Sequence, residues 1–218
     1  MQIDENPDVS RTATVDRVLY NMRLQIISGK HATGDKIVEE ELGKQYGVSR
    51  GTVRTVLNVL QGEGLIRVLP NGRKEIVCLT NRQVRDLYDL RWIIENRALE
   101  IVIRERLLGF APMVEALEAI KSASENPVLD SRWYDLDIQF HRGLVLASDN
   151  HALYRAWEVN TPLMRGLMFK YRVQEEAEYV EKLYEDHRRM FDLIVTGDER
   201  VFDLHHHHIM DACPKGKG

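Results

Sequence analysis

No stretch of the 218-residue chain approaches the roughly 18 consecutive apolar residues that a bilayer-crossing helix requires. The opening residues, MQIDENPDVS, lack the basic and apolar regions of a secretory signal. A cytoplasmic protein without membrane contact is therefore expected. Cysteine is scarce: Cys78 and Cys213 stand far apart, with no CxxC spacing, which excludes a disulfide framework and a Cys-rich zinc finger. An overall excess of positive charge is also missing, since 30 Lys+Arg face 34 Asp+Glu for a net charge of -4. Taken as an average, that balance argues against a nucleic-acid partner.

The average hides a division. Residues 1–79 hold 11 Lys+Arg against 10 Asp+Glu, a balance of +1, so residues 80–218 hold 19 against 24, a balance of -5. Eight of the 14 glycines precede residue 80, whereas Trp92, Trp133 and Trp157 all follow it. Short elements with tight turns are expected first and long helices second. The boundary is placed where the extended stretch EIVCL meets Thr80 and Asn81, either of which can cap a helix. The chain divides on this reading into an arm (1–11), a first domain (12–79), a second domain (80–212) and a tail (213–218).

In the first domain, Val15, Val18, Leu19, Met22, Ile26 and Ile27 recur at helical spacing up to a stop at Gly29. Val38, Leu42 and Tyr46 form a shorter apolar stripe that ends at Gly47. Ser49 can then cap a third helix with Val53, Val56, Leu57 and Leu60 facing inward, which leaves Arg50, Gly51, Thr52, Arg54 and Thr55 near its exposed start. Two helices joined by a short turn with glycine, the second opening on Ser-Arg, is the construction of a helix-turn-helix. An arginine there can fork onto a guanine edge or clamp a phosphate. Leu65–Leu69 and Glu75–Val77, joined through Pro70-Asn71-Gly72, read as a hairpin. Arg73 and Lys74 beside its tip suit a wing on the phosphate backbone.

The run LQIISGKHATGDKIVEEELGKQYGVSRGTVRTVLNVLQGEGLIRVLPNGRKEIV, Leu24 to Val77, resembles the winged helix-turn-helix of the GntR family of bacterial transcription regulators. The resemblance implies operator contacts from Ser49, Arg50, Thr52 and Arg54, with Thr55 beside them and Gly72 and Arg73 at the wing. The sequence departs from the family pattern at Thr52, where proline is usual, and at Thr55, where glutamate is usual. Because one recognition helix reads only a few base pairs, a homodimer on a pseudo-palindromic double-stranded site is expected.

Beyond Val84, apolar residues Leu87, Leu90, Ile94, Leu99 and Val102 continue at helical spacing. Further helices are expected to start near Pro112, Ser131, Asn150, Glu175 and Asp198, with Pro162 kinking or breaking one of them. No strand alternation of useful length follows, so the fold class is mainly α: a winged helix-turn-helix and then an all-helical bundle. LYDLRWIIENRALEI, Leu87 to Ile101, resembles the first helix of the FCD ligand-binding domain of FadR-like GntR regulators.

Asp137 and His141, four apart in WYDLDIQFHRGL, share one helix face and can share a cation, although such pairs also form plain hydrogen bonds. His187 and the run His205–His208 supply further imidazoles. The FCD resemblance implies a divalent metal held by Asp137, His141, His187 and a histidine of the last helix. His208 fits that place best and His205 next. Nitrogen and oxygen donors without thiolate suit zinc, nickel or manganese. The resemblance also implies that Arg91 faces a small-molecule effector, an organic acid whose carboxylate its fork would hold. Read from the residues alone, Arg91 and Glu95 form an ordinary intrahelical pair worth about 0.3–0.5 kcal/mol. His151 reads as solvated, Glu175, Glu176, Glu178 and Glu181 as an exposed face, and Trp133, Tyr134, Trp157 and Phe169 as core or dimer contacts. A metabolite-responsive regulator, not an enzyme, is the expected function. The alternative, a metal-dependent enzyme using the same Asp/His set, lacks an HExxH-like base and leaves the first seventy residues unexplained.

Overall fold

The computed structural model of the chain describes residues 7–125, 132–172 and 176–214, and within these the side chains of all but 7–11, 132, 172 and 176–181. The chain forms two compact units, residues 1–79 and 80–218. Among the described residues no helix is long and apolar enough to cross a membrane.

The first unit contains α1 (Pro7–Ile27), β1 (Lys36–Ile37), α2 (Glu39–Tyr46), α3 (Arg50–Gly62), β2 (Ile66–Val68) and β3 (Lys74–Ile76). Helix α1 starts four residues before the end of the expected arm. Pro7 favours this, because a proline at the first helical position brings its fixed φ and has no N–H to leave unpaired. Residues 1–6 lie outside the description. Val18, Met22, Ile26 and Ile27 of α1 pack against Val53, Val56, Leu57 and Leu60 of α3 over Leu65, Ile66 and Ile76. The α2 stripe is weaker than its spacing suggests: Val38 stays exposed as the N-cap, and α2 has no fully buried residue. Gly47 takes a left-handed φ of 64° to turn the chain into α3. The sheet order is β1-β3-β2, antiparallel throughout, with Ile66 opposite Ile76 and Lys36 opposite Glu75. Strand β1 was not expected, since two residues cannot show alternation.

The second unit is helical: α4 (Asn81–Glu105), α5 (Ala111–Glu125), α6 (Arg132–Ala147), α7 (His151–Arg172), α8 (Glu176–Thr196) and α9 (Arg200–Met210). Thr80 and Gln83 close a capping box at the start of α4, satisfying two otherwise unpaired N–H groups. Asn150 caps α7 by accepting from the N–H groups of Ala152 and Leu153. Pro162 does not break α7, which runs on to Arg172. Trp157 before it and Leu163, Met164 and Leu167 after it are all buried. Packing on both sides of the proline outweighs the one backbone hydrogen bond it removes.

Met113, Ile120, Phe140, Leu144, Met190 and Val201 form the centre of the helical core. Trp133, Tyr134 and Trp157 join it and Phe169 packs on its edge. Helices α5 and α6 approach closely at Gly143, where a Cβ would lie 2.8 Å from the Met113 backbone nitrogen. On α4 the buried stripe is Val84, Tyr88, Arg91, Glu95, Ala98 and Val102, and Leu90, expected inside, is exposed. Two charged residues therefore occupy core positions. The side chains of the acidic run at 175–181 lie outside the description.

Candidate metal centre and DNA-binding surface

Helices α6, α8 and α9 bring Asp137, His141, His187 and His208 together inside the second unit. His141 Nε2 lies 3.1 Å from His208 Nε2 and 3.2 Å from His187 Nε2. Asp137 Oδ1 lies 3.8, 3.4 and 3.6 Å from the Nε2 atoms of His141, His187 and His208. Bonds of about 2.0–2.2 Å to one cation put tetrahedral ligand atoms roughly 3.4 Å apart and adjacent octahedral ones roughly 3 Å apart. The separations of 3.1, 3.2 and 3.4 Å lie in this range, and those from Asp137 Oδ1 to His208 and His141, 3.6 and 3.8 Å, are slightly longer. Asp137, His141 and His187 are buried, and His208 is nearly so.

Hydrogen bonds settle which nitrogens can ligate. His141 Nδ1 sits 2.6 Å from Glu95 Oε2, and an ionised carboxylate only accepts, so Nδ1 carries the proton and Nε2 presents a lone pair. His187 Nδ1 donates to the Leu183 carbonyl at 2.7 Å, with the same result. Two lone pairs thus face each other at 3.2 Å beside a carboxylate oxygen. A cation between them would convert that repulsion into ligation, and the donor set fits a divalent metal without thiolate. Burial pushes the His141 ring down to about 3 and the His208 ring down to about 4. Both are therefore neutral at pH 7, as ligands must be.

Glu95 was not expected as part of this centre. It is fully buried, with Oε1 accepting from Arg91 Nε at 2.7 Å and Oε2 from His141 Nδ1 and from His205 Nε2 at 2.7 Å. The Arg91–Glu95 pair is intrahelical, as its spacing implies, but it lies in the core, which sets it apart from the ordinary pair of a few tenths of a kcal/mol. Burial would raise Glu95, yet the Arg91 charge and the His141 and His205 donors hold it well below the usual carboxylate range. Burial opposes the charge of Asp137 as well, but His141 and Arg91 keep that carboxylate ionised. A helical-wheel projection of α4 could have found both residues, since 84, 88, 91, 95, 98 and 102 lie on one stripe.

Arg91 also reaches Asp137 Oδ2 at 3.3 Å, leaving Nη1 against the Met168 sulfur at 3.8 Å. Its guanidinium lies over the Trp157 ring, 5.6 Å from the centroid. The four successive histidines diverge. His205 turns to Glu95, His206 packs edge-on against Trp92, His207 faces solvent 3.6 Å from Asp211, and His208 enters the cluster. His151 is exposed at the start of α7.

In the first unit, Ser49 caps α3 by accepting from the Thr52 N–H at 3.1 Å. Thr52 is buried, and its hydroxyl meets that of Ser49 at 3.0 Å, so it does not share the exposure expected for it. Position 52 follows the inward rhythm of Val53 and Val56, and its hydroxyl stays satisfied by bonding back to the cap. Arg50, Arg54 and Thr55 are exposed along the start of α3. Gly72 has φ of 78° at the hairpin turn, and Arg73 beside it is exposed. Arg54 and Lys74 both bond Glu39, and Arg50 lies 3.9 Å from Glu40.

Comparison with known proteins places the chain. Residues 86–213 match the FCD domain, and residues 14–75 match the bacterial regulatory proteins of the gntR family. The chain belongs to the GntR family, with an FCD domain. The gluconate operon transcriptional repressor of Bacillus subtilis is 26% identical over 200 residues, covering 88% of this chain and 80% of the repressor. YdhC, an uncharacterized HTH-type transcriptional regulator of the same species, is 30% identical over 189 residues, covering 85% of this chain and 83% of YdhC. Two solved structures share the fold. Lar, which controls the expression of the Listeria monocytogenes agr system, superposes with a TM-score of 0.68 at 16% identity, over 91% of this chain and 94% of Lar. E. coli McbR/YncC superposes with a TM-score of 0.66 at 20% identity, over 91% of this chain and 93% of its own.

As a GntR regulator the chain is a DNA-binding transcription factor. The family and these relatives are transcription regulators, which removes the enzyme alternative for the Asp/His set. The gntR match runs from α1 into β3, and the FCD match runs from the second turn of α4 past α9.

Proposed function

We propose that this GntR protein is a homodimeric, cytoplasmic, metabolite-responsive regulator of operator DNA whose helical domain uses a divalent cation to hold its effector. The observation that carries this reading is the convergence of Asp137, His141, His187 and His208, with two imidazole lone pairs directed at one another. Zinc, nickel or manganese suits the donors. Four protein ligands leave one or two positions of a five- or six-coordinate ion for water or an effector carboxylate. Arg91 supports the organic-acid class: Nη1, whose other neighbour is a thioether, can take a carboxylate while Nε and Nη2 hold Glu95 and Asp137. A relative that represses a gluconate operon agrees with a sugar acid as effector.

On the DNA side, Arg50, Arg54 and Thr55 on α3 face the operator, with Gly72 and Arg73 of the wing on the backbone. Ser49 and Thr52 set the start of the recognition helix, and Ser49 also reaches a phosphate. Effector binding across α6, α8 and α9 changes their packing and, through it, the spacing of two DNA-binding domains.

Elemental analysis with native mass spectrometry of gently purified protein tests the proposal. A dimer carrying about one metal per chain, with added mass of a small acid, is expected. A metal-free monomer that remains monomeric after zinc, nickel or manganese is added refutes it.

A further inference from the structure

Glu39 opens α2 directly after β1, and its carboxylate reaches two other elements. Oε2 accepts from Arg54 Nε of α3 at 3.0 Å, and Oε1 accepts from Lys74 Nζ of β3 at 2.7 Å. Lys74 first and Arg54 second hold Glu39 below the usual carboxylate range, so it stays charged. The Glu39 side chain is 26% exposed, whereas that of Arg54 is 68% exposed. A fixed negative charge beside a surface that meets a polyanion weakens binding in general, so its presence calls for a compensating role.

The geometry supplies one. A guanidinium offers five N–H donors in a rigid fork. With Nε held by Glu39, the two terminal nitrogens remain for an outside acceptor, and the long side chain has lost much of its rotational freedom before that acceptor arrives. Lys74 ties the start of β3, next to the turn of the wing, to the same carboxylate. We infer that Glu39 is a positioning residue for DNA recognition, which aims the Arg54 fork at a base edge and couples the recognition helix to the wing. This rests on the proposed role of α3 and the wing in contacting DNA.

The test uses the full-length protein and two duplexes: the one most enriched by wild type from a library with a randomised core, and a scrambled copy of it. Glu39→Gln should tighten binding to the scrambled duplex and lower the selected-to-scrambled affinity ratio about three- to tenfold, part of what one arginine–base contact contributes. In an Arg54→Ala background the ratio should already be low, and Glu39→Gln should lower it no further. An unchanged ratio in Glu39→Gln, or an equal fall in both backgrounds, overturns the role of Glu39 and leaves that of Arg54 standing. An unchanged ratio in Arg54→Ala overturns both. Nitrogen-15 NMR of the DNA-free protein gives a second readout, independent of how the variant folds. The wild-type Arg54 Nε–H signal, identified by its loss in Arg54→Ala, should be dispersed and slow to exchange, and a signal averaged with those of solvated arginines overturns the inference.

Discussion

Glu95 accepts the Nδ1 proton of His141 at 2.6 Å, and this one bond fixes which face of the imidazole points at the other three donors. The same carboxylate balances the buried Arg91 charge. Replacing Glu95 with alanine should therefore destabilise the helical domain by about 3–5 kcal/mol, the range for breaking a buried ion pair by removing one partner. Urea unfolding followed by tryptophan fluorescence isolates this domain, because Trp92, Trp133 and Trp157 all lie in it. A midpoint unchanged from wild type would show that the pair contributes nothing.

Acid should unfold the metal-free helical domain well before it protonates the cluster. The folded state lowers His141 to about 3 and His208 to about 4, whereas an unfolded histidine titrates near 6.5. Below that value the unfolded chain binds protons that the folded chain refuses, so stability falls as pH drops, by up to about 1.4 kcal/mol per pH unit for each histidine. Glu95 and Asp137, both held low in the fold, act in the same direction below about pH 4.5. Unfolding in EDTA at pH 7.5, 6 and 5 should show a steady loss, and a flat profile contradicts the burial argument.

Among histidine variants, metal content should separate ligands from neighbours. His187→Ala and His208→Ala should each lose most bound metal, and exposed His151→Ala none. His205→Ala should keep the stoichiometry and weaken affinity roughly 10- to 100-fold, because its imidazole acts through Glu95. Loss of metal in His205→Ala with retention in His208→Ala would exchange their roles. Chelation should also lower the melting temperature, since the ligands come from three helices.

For DNA, alanine at Arg50 or Arg54 should remove sequence-specific binding with the fold intact. Arg73→Ala should weaken all sequences alike and reduce the slope of log affinity against log salt by about one. A slope identical to wild type would take Arg73 off the phosphate backbone.

Gly143→Ala should cost about 1–3 kcal/mol, as overpacking does, because the new methyl meets the Met113 backbone 2.8 Å away. The contact joins α5 to the helix that carries Asp137 and His141. Thermal unfolding followed by circular dichroism measures it, and an unchanged melting temperature would mean the two helices separate freely there.

How far the sequence could be read depended on how local each signal was. Ser49, Gly47 and the inward rhythm of Val53, Val56, Leu57 and Leu60 made the helix-turn-helix legible, because caps and periodicity act within one or two turns. Strand β1 was invisible, since Lys36 and Ile37 become a strand only by pairing with β3. Asp137 and His141 could be paired from their spacing of four. Spacing alone does not pair Glu95 with them, because a glutamate four residues after an arginine is the usual pattern of a solvated face. Only the positions of Tyr88, Ala98 and Val102 on the same stripe show that the face turns inward. At Pro162 a break, one of the two outcomes expected, does not occur, because a local helix breaker sits where tertiary packing dominates.

The run of histidines on α9 bears on how such a domain can change over generations. A residue inserted at the Gly197 loop turns the helix by about 100° relative to its neighbours. In most helices that would exchange a ligand for an unrelated side chain. Here one, two or three added residues would bring His207, His206 or His205 to the place that His208 occupies. Donation to Glu95 would be less durable, because a single insertion puts Leu204 where His205 stands. The donors proposed for the cation are thus tolerant of changes in loop length that the hydrogen bond to Glu95 would not survive.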